Sequence, residues 1–153
     1  AEMIAVGAIK YSILKQKPGQ NIIFEFEKSL SFEGDSGPYL QYTHARISSL
    51  LEKGKEVGIE QYLAKDEPLI VLERLLVRLP EIVSRSLAEF APQALASYLI
   101  QIAREFNSFY GVHMIVDPEN KETSAHRLAI ALGTKIVLRN GLGILGIQAP
   151  DKM

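Results

Sequence analysis

Apolar residues recur at intervals of three and four along most of this chain, the signature of helices with one buried face. Met3, Ile4, Val6, Ile9, Ile13 and Leu14 predict a helix over 2–16, ended by Pro18 and Gly19. Ile22 to Phe26 alternates apolar and polar, as a short strand would. Phe24, Phe26, Leu30 and Phe32 also suit a helix over 24–32, which is preferred because Lys28-Ser29-Leu30 offers no strand pattern. Asp35, Ser36 and Gly37 are turn and N-cap types, and Pro38 fits a first helical turn, so a helix is predicted over 37–53. Gly54 and Gly58 bracket the polar loop that closes it, and residues 54–65 are the least patterned part of the chain.

Asp66-Glu67-Pro68 reads as the next helix start, with acids at the positive end of the dipole. Leu69, Leu72, Leu75, Leu76 and Leu79 make one apolar face over 67–79, and Pro80 interrupts it. A helix over 81–89 then carries Ile82, Val83 and Leu87. Ala91-Pro92 opens a helix over 92–110 whose core stripe is Leu95, Leu99, Ile102, Phe106 and Phe109, with Gly111 expected as its cap. Val112 to Asn120 is a loop around Met114-Ile115-Val116. Thr123 is expected to cap a helix over 123–139 that is apolar nearly all round, hence the central helix of a bundle, ended by Asn140-Gly141. There is no internal repeat and no convincing pair of strands. The fold class is all-α, a helical bundle.

Composition narrows the chemistry. The chain has 153 residues, enough for one domain, with 47 % hydrophobic and 23 % charged residues. Its net charge is −1, so any nucleic-acid contact must come from a local patch. It has no cysteine, which excludes disulfides, cysteine-ligated zinc and thiol catalysis. No apolar run is long enough for a membrane helix, and no signal-peptide pattern opens the chain, so a cytoplasmic location is expected. Starting at Ala1 suggests a chain processed or cut from something longer.

Most candidate sites fail on spacing. His44, His113 and His126 share no helical spacing, so no metal site is expected. Gly141-Leu142-Gly143 with Gly146 has the outline of a phosphate loop but follows a helix, not a strand. No nucleophile elbow exists, and capping explains the Asp66/Glu67 pair, so no catalytic residue is assigned. One stripe remains. Tyr39, Tyr42 and Arg46 share a narrow face of the 37–53 helix, roughly 100° from the aliphatic face of Leu40, Ile47, Leu50 and Leu51. Stacking rings, hydroxyls and a guanidinium suit single-stranded nucleic acid. The plainer reading packs both tyrosines at the rim of the core. Tyr110, beside Asn107 at a helix end, carries the same two readings.

The wording of the chain bears on that choice. S-F-E-G-D-S-G-P-Y-L-Q-Y-T-H-A-R over 31–46 resembles the segment that opens the DALR-type anticodon-binding domain of arginyl-tRNA synthetases. A-R-E-F-N-S-F-Y, A-H-R-L-A-I-A and the final L-G-I-Q-A-P-D-K-M are similar to that domain in the same order. Gly7-Ala8-Ile9-Lys10-Tyr11 resembles the helix that follows the second ATP-site signature of the same family. The resemblance implies that residues 1–30 are the end of the catalytic domain and its connecting helices, and that 31–153 form the anticodon-binding bundle.

The resemblance also implies a function. Such synthetases are class I ligases that join arginine to tRNA(Arg) with ATP and Mg²⁺. The H-I-G-H and K-M-S-K-S-like ATP signatures are absent here, so this stretch is expected to hold no cofactor and to be inactive alone. Its expected partners are the anticodon arm of tRNA(Arg) and the catalytic domain of the parent chain, with neither membrane nor DNA. By the family pattern Tyr39, Tyr42, Arg46, Asn107, Tyr110 and Met153 lie where the anticodon loop is held. Met114 stands where some members carry an aromatic, which leaves stacking there open. Arg104, Arg127, Lys135 and Arg139 are candidate phosphate contacts on charge alone. The alternative is a helical scaffold or protein-interaction bundle without RNA function, indicated if the Tyr39/Tyr42/Arg46 stripe is buried against another helix.

Overall fold

The computed structural model describes residues 1–59 and 68–153. Among the described residues seven helices follow one another: α1 (Glu2–Leu14), α2 (Phe26–Leu30), α3 (Gly37–Glu56), α4 (Val71–Leu76), α5 (Leu79–Ala88), α6 (Pro92–Val112) and α7 (Lys121–Ile144). Among the described residues there is no strand; Ile22 to Glu25 is unpaired irregular backbone leading into the short α2. The expected start at Asp66-Glu67, and the loop from 60 onward before it, lie outside the described residues. From Pro68 the chain is non-helical until Val71, so the 67–79 helix is reduced to two turns.

Helices α3, α6 and α7 pack on one another through Leu40, Ile47, Leu99, Phe106, Leu128, Leu138 and Leu142, all fully buried. Helix α1 lies across α3, α5 lies against α6, and α4 bridges α6 and α7. Helix α7 is central but not buried all round, since Ile136 and Ile144 face outward. Helix α1 is reversed from the expectation of its apolar stripe. Its face of Gly7, Ala8, Tyr11 and Ser12 is buried, and Met3, Val6, Ile9 and Ile13 are exposed. Gly7 lets the first turn of α3 approach the α1 backbone, and Tyr11, whose hydroxyl donates to Asp35, fills the same face, so the aliphatics turn away.

Several helix ends differ from their sequence signals. Helix α6 runs through Gly111 to Val112, and α7 runs through Gly141 to Ile144. Gly141 is a contact glycine: a Cβ there would collide with the Leu99 side chain on α6. Helix α7 begins at Lys121, because the Asn120 side chain, not Thr123, is the cap and accepts from the Thr123 amide at 3.2 Å. Helix α3 starts as its cap signals predict, with Ser36 Oγ accepting from the Tyr39 amide at 3.1 Å and Pro38 in the first turn. It runs past the expected end at 53 and through Gly54, which lies inside the helix against Leu128 instead of opening the loop, and closes at Gly58 (φ 78°), where the Gly58 amide donates to Lys55 O and the Ile59 amide to Gly54 O, both at 2.9 Å. No helix among the described residues is long and apolar enough to cross a membrane.

At Gly37 the first turn of α3 meets the backbone of α1. A Cβ there would collide with the Gly7 carbonyl. Backbone cannot swing aside as a side chain can, so Gly37→Ala is expected to cost about 1–3 kcal/mol. Gly111→Ala meets nothing within 4 Å and is expected to leave stability unchanged or raise it by up to about 1 kcal/mol. Urea unfolding of the two variants side by side measures both.

Candidate nucleic-acid interface

Spacing of three and four on α3 brings Tyr39, Tyr42 and Arg46 to one side, and the last turns of α6 bring Asn107 and Tyr110 opposite them. The Arg46 guanidinium joins the two helices. It lies 4.7 Å from the ring centre of Tyr42 and 5.1 Å from that of Tyr110. Its Nη1 donates to Asn107 Oδ1. Asn107 Nδ2 in turn donates to Tyr39 Oη at 2.9 Å and to Thr43 Oγ1 at 3.1 Å. Thr43 Oγ1 donates back to the Tyr39 carbonyl at 2.9 Å. One amide therefore uses its acceptor on the arginine and both donors on α3, which fixes its orientation.

The outer side of this arrangement is open. Tyr42 is 37 % exposed and Tyr110 39 %. Phe32 meets the Tyr42 ring edge-on at 6.0 Å, and Phe106 stacks under Tyr110 at 6.4 Å. A groove runs past Tyr42, Arg46 and Tyr110 and is bounded by Lys53, Lys152 and Met153. It continues past Lys53 and Tyr110 to the loop carrying Met114. Two half-exposed rings clamping a charged plane offer π-faces and a fixed cation together, the pairing that holds unstacked bases beside a backbone phosphate. Among the described residues there is no group of three or more metal-ligating side chains.

The model of the DALR anticodon binding domain family matches residues 40–153. The chain belongs to that family. The arginine–tRNA ligase of Pyrococcus furiosus is 41 % identical over 166 aligned residues, which take in 100 % of this chain and 26 % of the relative. That of Archaeoglobus fulgidus is 40 % identical over 157, covering 100 % and 28 %. The solved arginyl-tRNA synthetase of Thermus thermophilus superposes with a TM-score of 0.82 at 34 % identity, over 99 % of this chain and 27 % of that one. The chain thus spans about a quarter of the length of these relatives.

Within this DALR domain the charged candidates scatter. Arg127 Nη1 donates to the Met114 carbonyl at 2.8 Å and so supports the loop at the groove's end. Lys135 pairs with Asp151 at 2.8 Å. Arg139 borders a separate concavity shared with Leu79, Pro80 and Val83 of α5. Arg104 is exposed on α6 and lines none of the groove described above. Besides Arg46, the cations that reach the groove are Lys53 and Lys152, the latter paired with Glu52 at 3.7 Å, and sequence reasoning missed both lysines. Lys53 was readable: 42, 46, 49 and 53 continue one helical stripe. Lys152 was not, because only the course of the terminal segment brings it there. Phe32 and Thr43 were also missed; each acts through a tyrosine that was named.

Asn107 is the shared partner of three side chains. Asn107→Ala leaves Tyr39 Oη, Thr43 Oγ1 and Arg46 each short of a partner in a half-buried place, and is expected to cost about 1–3 kcal/mol. A urea unfolding curve that does not move would show that this network contributes nothing.

Proposed function

We propose that this chain is the part of an arginine–tRNA ligase that grips the anticodon arm of tRNA(Arg). The carrying observation is the Arg46 guanidinium held between the half-exposed rings of Tyr42 and Tyr110, at an open groove of a DALR domain. Tyr42 and Tyr110 offer stacking surfaces, Arg46 and Lys53 offer charge to phosphate, and Asn107, itself held by the Tyr39 hydroxyl, holds the arginine. Met114 and Met153 wall the groove. Arg127 supports the Met114 loop, which leaves its phosphate role weaker; the placement of Arg104, Lys135 and Arg139 gives no support for theirs.

Ligation itself, with arginine, ATP and Mg²⁺, belongs in this reading to the part of the parent protein beyond this chain, in the cytoplasm where tRNA is charged. Residues 1–30 would connect the two parts. The outward aliphatic stripe of α1 and the exposed Ile22, Ile23, Phe24 and Phe26 support that, as an apolar surface of this extent suits contact with another domain. The family match starts at residue 40, so the assignment of 1–30 rests on the whole-length relatives alone. Of the Tyr39/Tyr42/Arg46 stripe, whose burial against another helix would indicate a scaffold, Tyr39 and Arg46 are partly buried beside Asn107 of α6 and Tyr42 is exposed; the exposure of Tyr42, with Tyr110 across from it, supports the RNA reading.

The test is a titration of the full-length protein with tRNA(Arg) at several salt concentrations. Tyr42→Ala and Tyr110→Ala are each expected to weaken binding by about 1–3 kcal/mol. Arg46→Ala is expected to reduce the salt slope by about 1. Unchanged affinity combined with a large loss of stability would identify the tyrosines as core residues and end this reading.

A further inference from the structure

Helix α3 buries three polar residues that the groove does not use. Gln41, His44 and Ser48 are 0 %, 1 % and 4 % exposed. They sit at i, i+3 and i+7, one per turn on a single face. Each meets the segment that follows α7. Gln41 Nε2 donates to the Gln148 carbonyl at 2.8 Å, and also to the Met3 carbonyl at 3.2 Å. His44 Nδ1 lies 2.7 Å from the Pro150 carbonyl, an acceptor only, so Nδ1 carries the proton and donates. Ser48 Oγ donates to Asp151 Oδ1 at 2.9 Å, and Lys135 of α7 meets the same carboxylate.

The spacing of the two elements agrees. Seven residues of helix rise about 10 Å, and three residues of extended chain, from 148 to 151, reach about the same distance. An aliphatic face would bury equal area at no polar cost. Three polar side chains aimed at successive acceptors instead select one register for the segment. The segment leaves α7 through Gly146 (φ 68°) and is pinned by the buried Ile147 before it reaches this row. Past the row, Lys152 and Met153 arrive in the groove beside Tyr42, Arg46 and Tyr110.

We propose that Gln41, His44 and Ser48 are positioning residues for the RNA groove: they fix residues 148–151 so that Lys152 and Met153 form one of its walls. This rests on the reading of the groove as an RNA surface. None of the three touches RNA; they act through the segment they hold.

The clamp is sensitive to acid. Burial lowers the pKa of His44, the cations Lys135 and Arg139 of α7 push the same way, and the Pro150 carbonyl and Asp151 oppose them. The imidazole is therefore neutral, and the unfolded chain takes up a proton first as pH falls. Stability from this site is fully present above the ordinary imidazole value of about 6.5 and is lost as pH drops below it. Asp151, held low by Lys135 and Ser48, behaves in the same sense nearer the carboxylate range.

The experiment uses the full-length protein with His44→Phe plus Ser48→Ala, with His44→Asn as the variant that retains a donor near Nδ1, and with Met153→Ala and Tyr42→Ala. Three quantities are read: the backbone order parameters of 148, 149, 151 and 152, affinity for the anticodon stem–loop of tRNA(Arg), and the unfolding midpoint. The double variant is expected to lower the order parameters from about 0.85 to below about 0.6 and to bind RNA about fivefold more weakly, the loss of about one hydrogen bond. His44→Asn is expected to stay close to the parent in both. Met153→Ala is expected to weaken binding with unchanged order parameters at 148–151. The order parameters of the parent protein are expected to fall below pH of about 6.5, a dependence that His44→Phe removes. Unchanged order parameters in the double variant, or lowered ones with unchanged affinity while Tyr42→Ala still binds weakly, overturn the proposal. If Tyr42→Ala binds like the parent, the groove is not an RNA surface and the proposal falls with that reading.

Discussion

A twenty-residue helix packed against four others cannot leave its polar groups to water, and α3 carries Gln41, Thr43, His44 and Ser48 on its buried surface. Each must find a partner inside the protein or destabilise the fold. Thr43 finds its own backbone and Asn107 of α6; Gln41, His44 and Ser48 each place one polar atom on the segment after α7, while Gln41 Oε1 and His44 Nε2 stay buried without a hydrogen-bond partner. The partners that satisfy α3 are thus the two elements that face Tyr42 and Arg46 across the groove. Burial of α3 and construction of the groove are one constraint.

The same helix divides its surface by function. Leu40, Ile47 and Leu51 bind it into the core, Gly37 lets its first turn touch α1, and the Tyr42–Arg46 side stays partly open. A chain of net charge −1 offers no broad field to draw in a polyanion. In the proposed reading, local placement of Arg46, Lys53 and Lys152 beside two aromatic rings would compensate, because stacking does not depend on salt as phosphate neutralisation does. Arginine suits the central place better than lysine, since its planar fork stacks on two rings while donating to an amide.

Glycine shows where sequence reading goes astray. Gly111 and Gly141 look like helix terminators, yet both lie within helices. A glycine signals either a backbone turn or a close approach, and a single sequence does not distinguish them. At Gly141 the reason is Leu99 on another helix, which no local pattern contains. Gly54 and Gly58 divide the same way: Gly58 does close α3 in the left-handed region, whereas Gly54 lies inside the helix against Leu128 of α7.

The all-helical class, the seven segments and the cap of α3 were legible because helical period, N-cap chemistry and proline placement act over a few neighbouring residues. The Tyr39/Tyr42/Arg46 stripe was legible for the same reason, as was the order of family motifs along the chain. Tertiary structure decided the rest. It set which face of α1 points inward, because Gly7 lets the backbones of α1 and α3 meet. It brought Asn107 and Tyr110 across to Arg46 and laid Lys152 and Met153 over α3, through contacts between residues 61 to more than 100 positions apart. Such pairings depend on the packing of whole helices, and no window of sequence contains them.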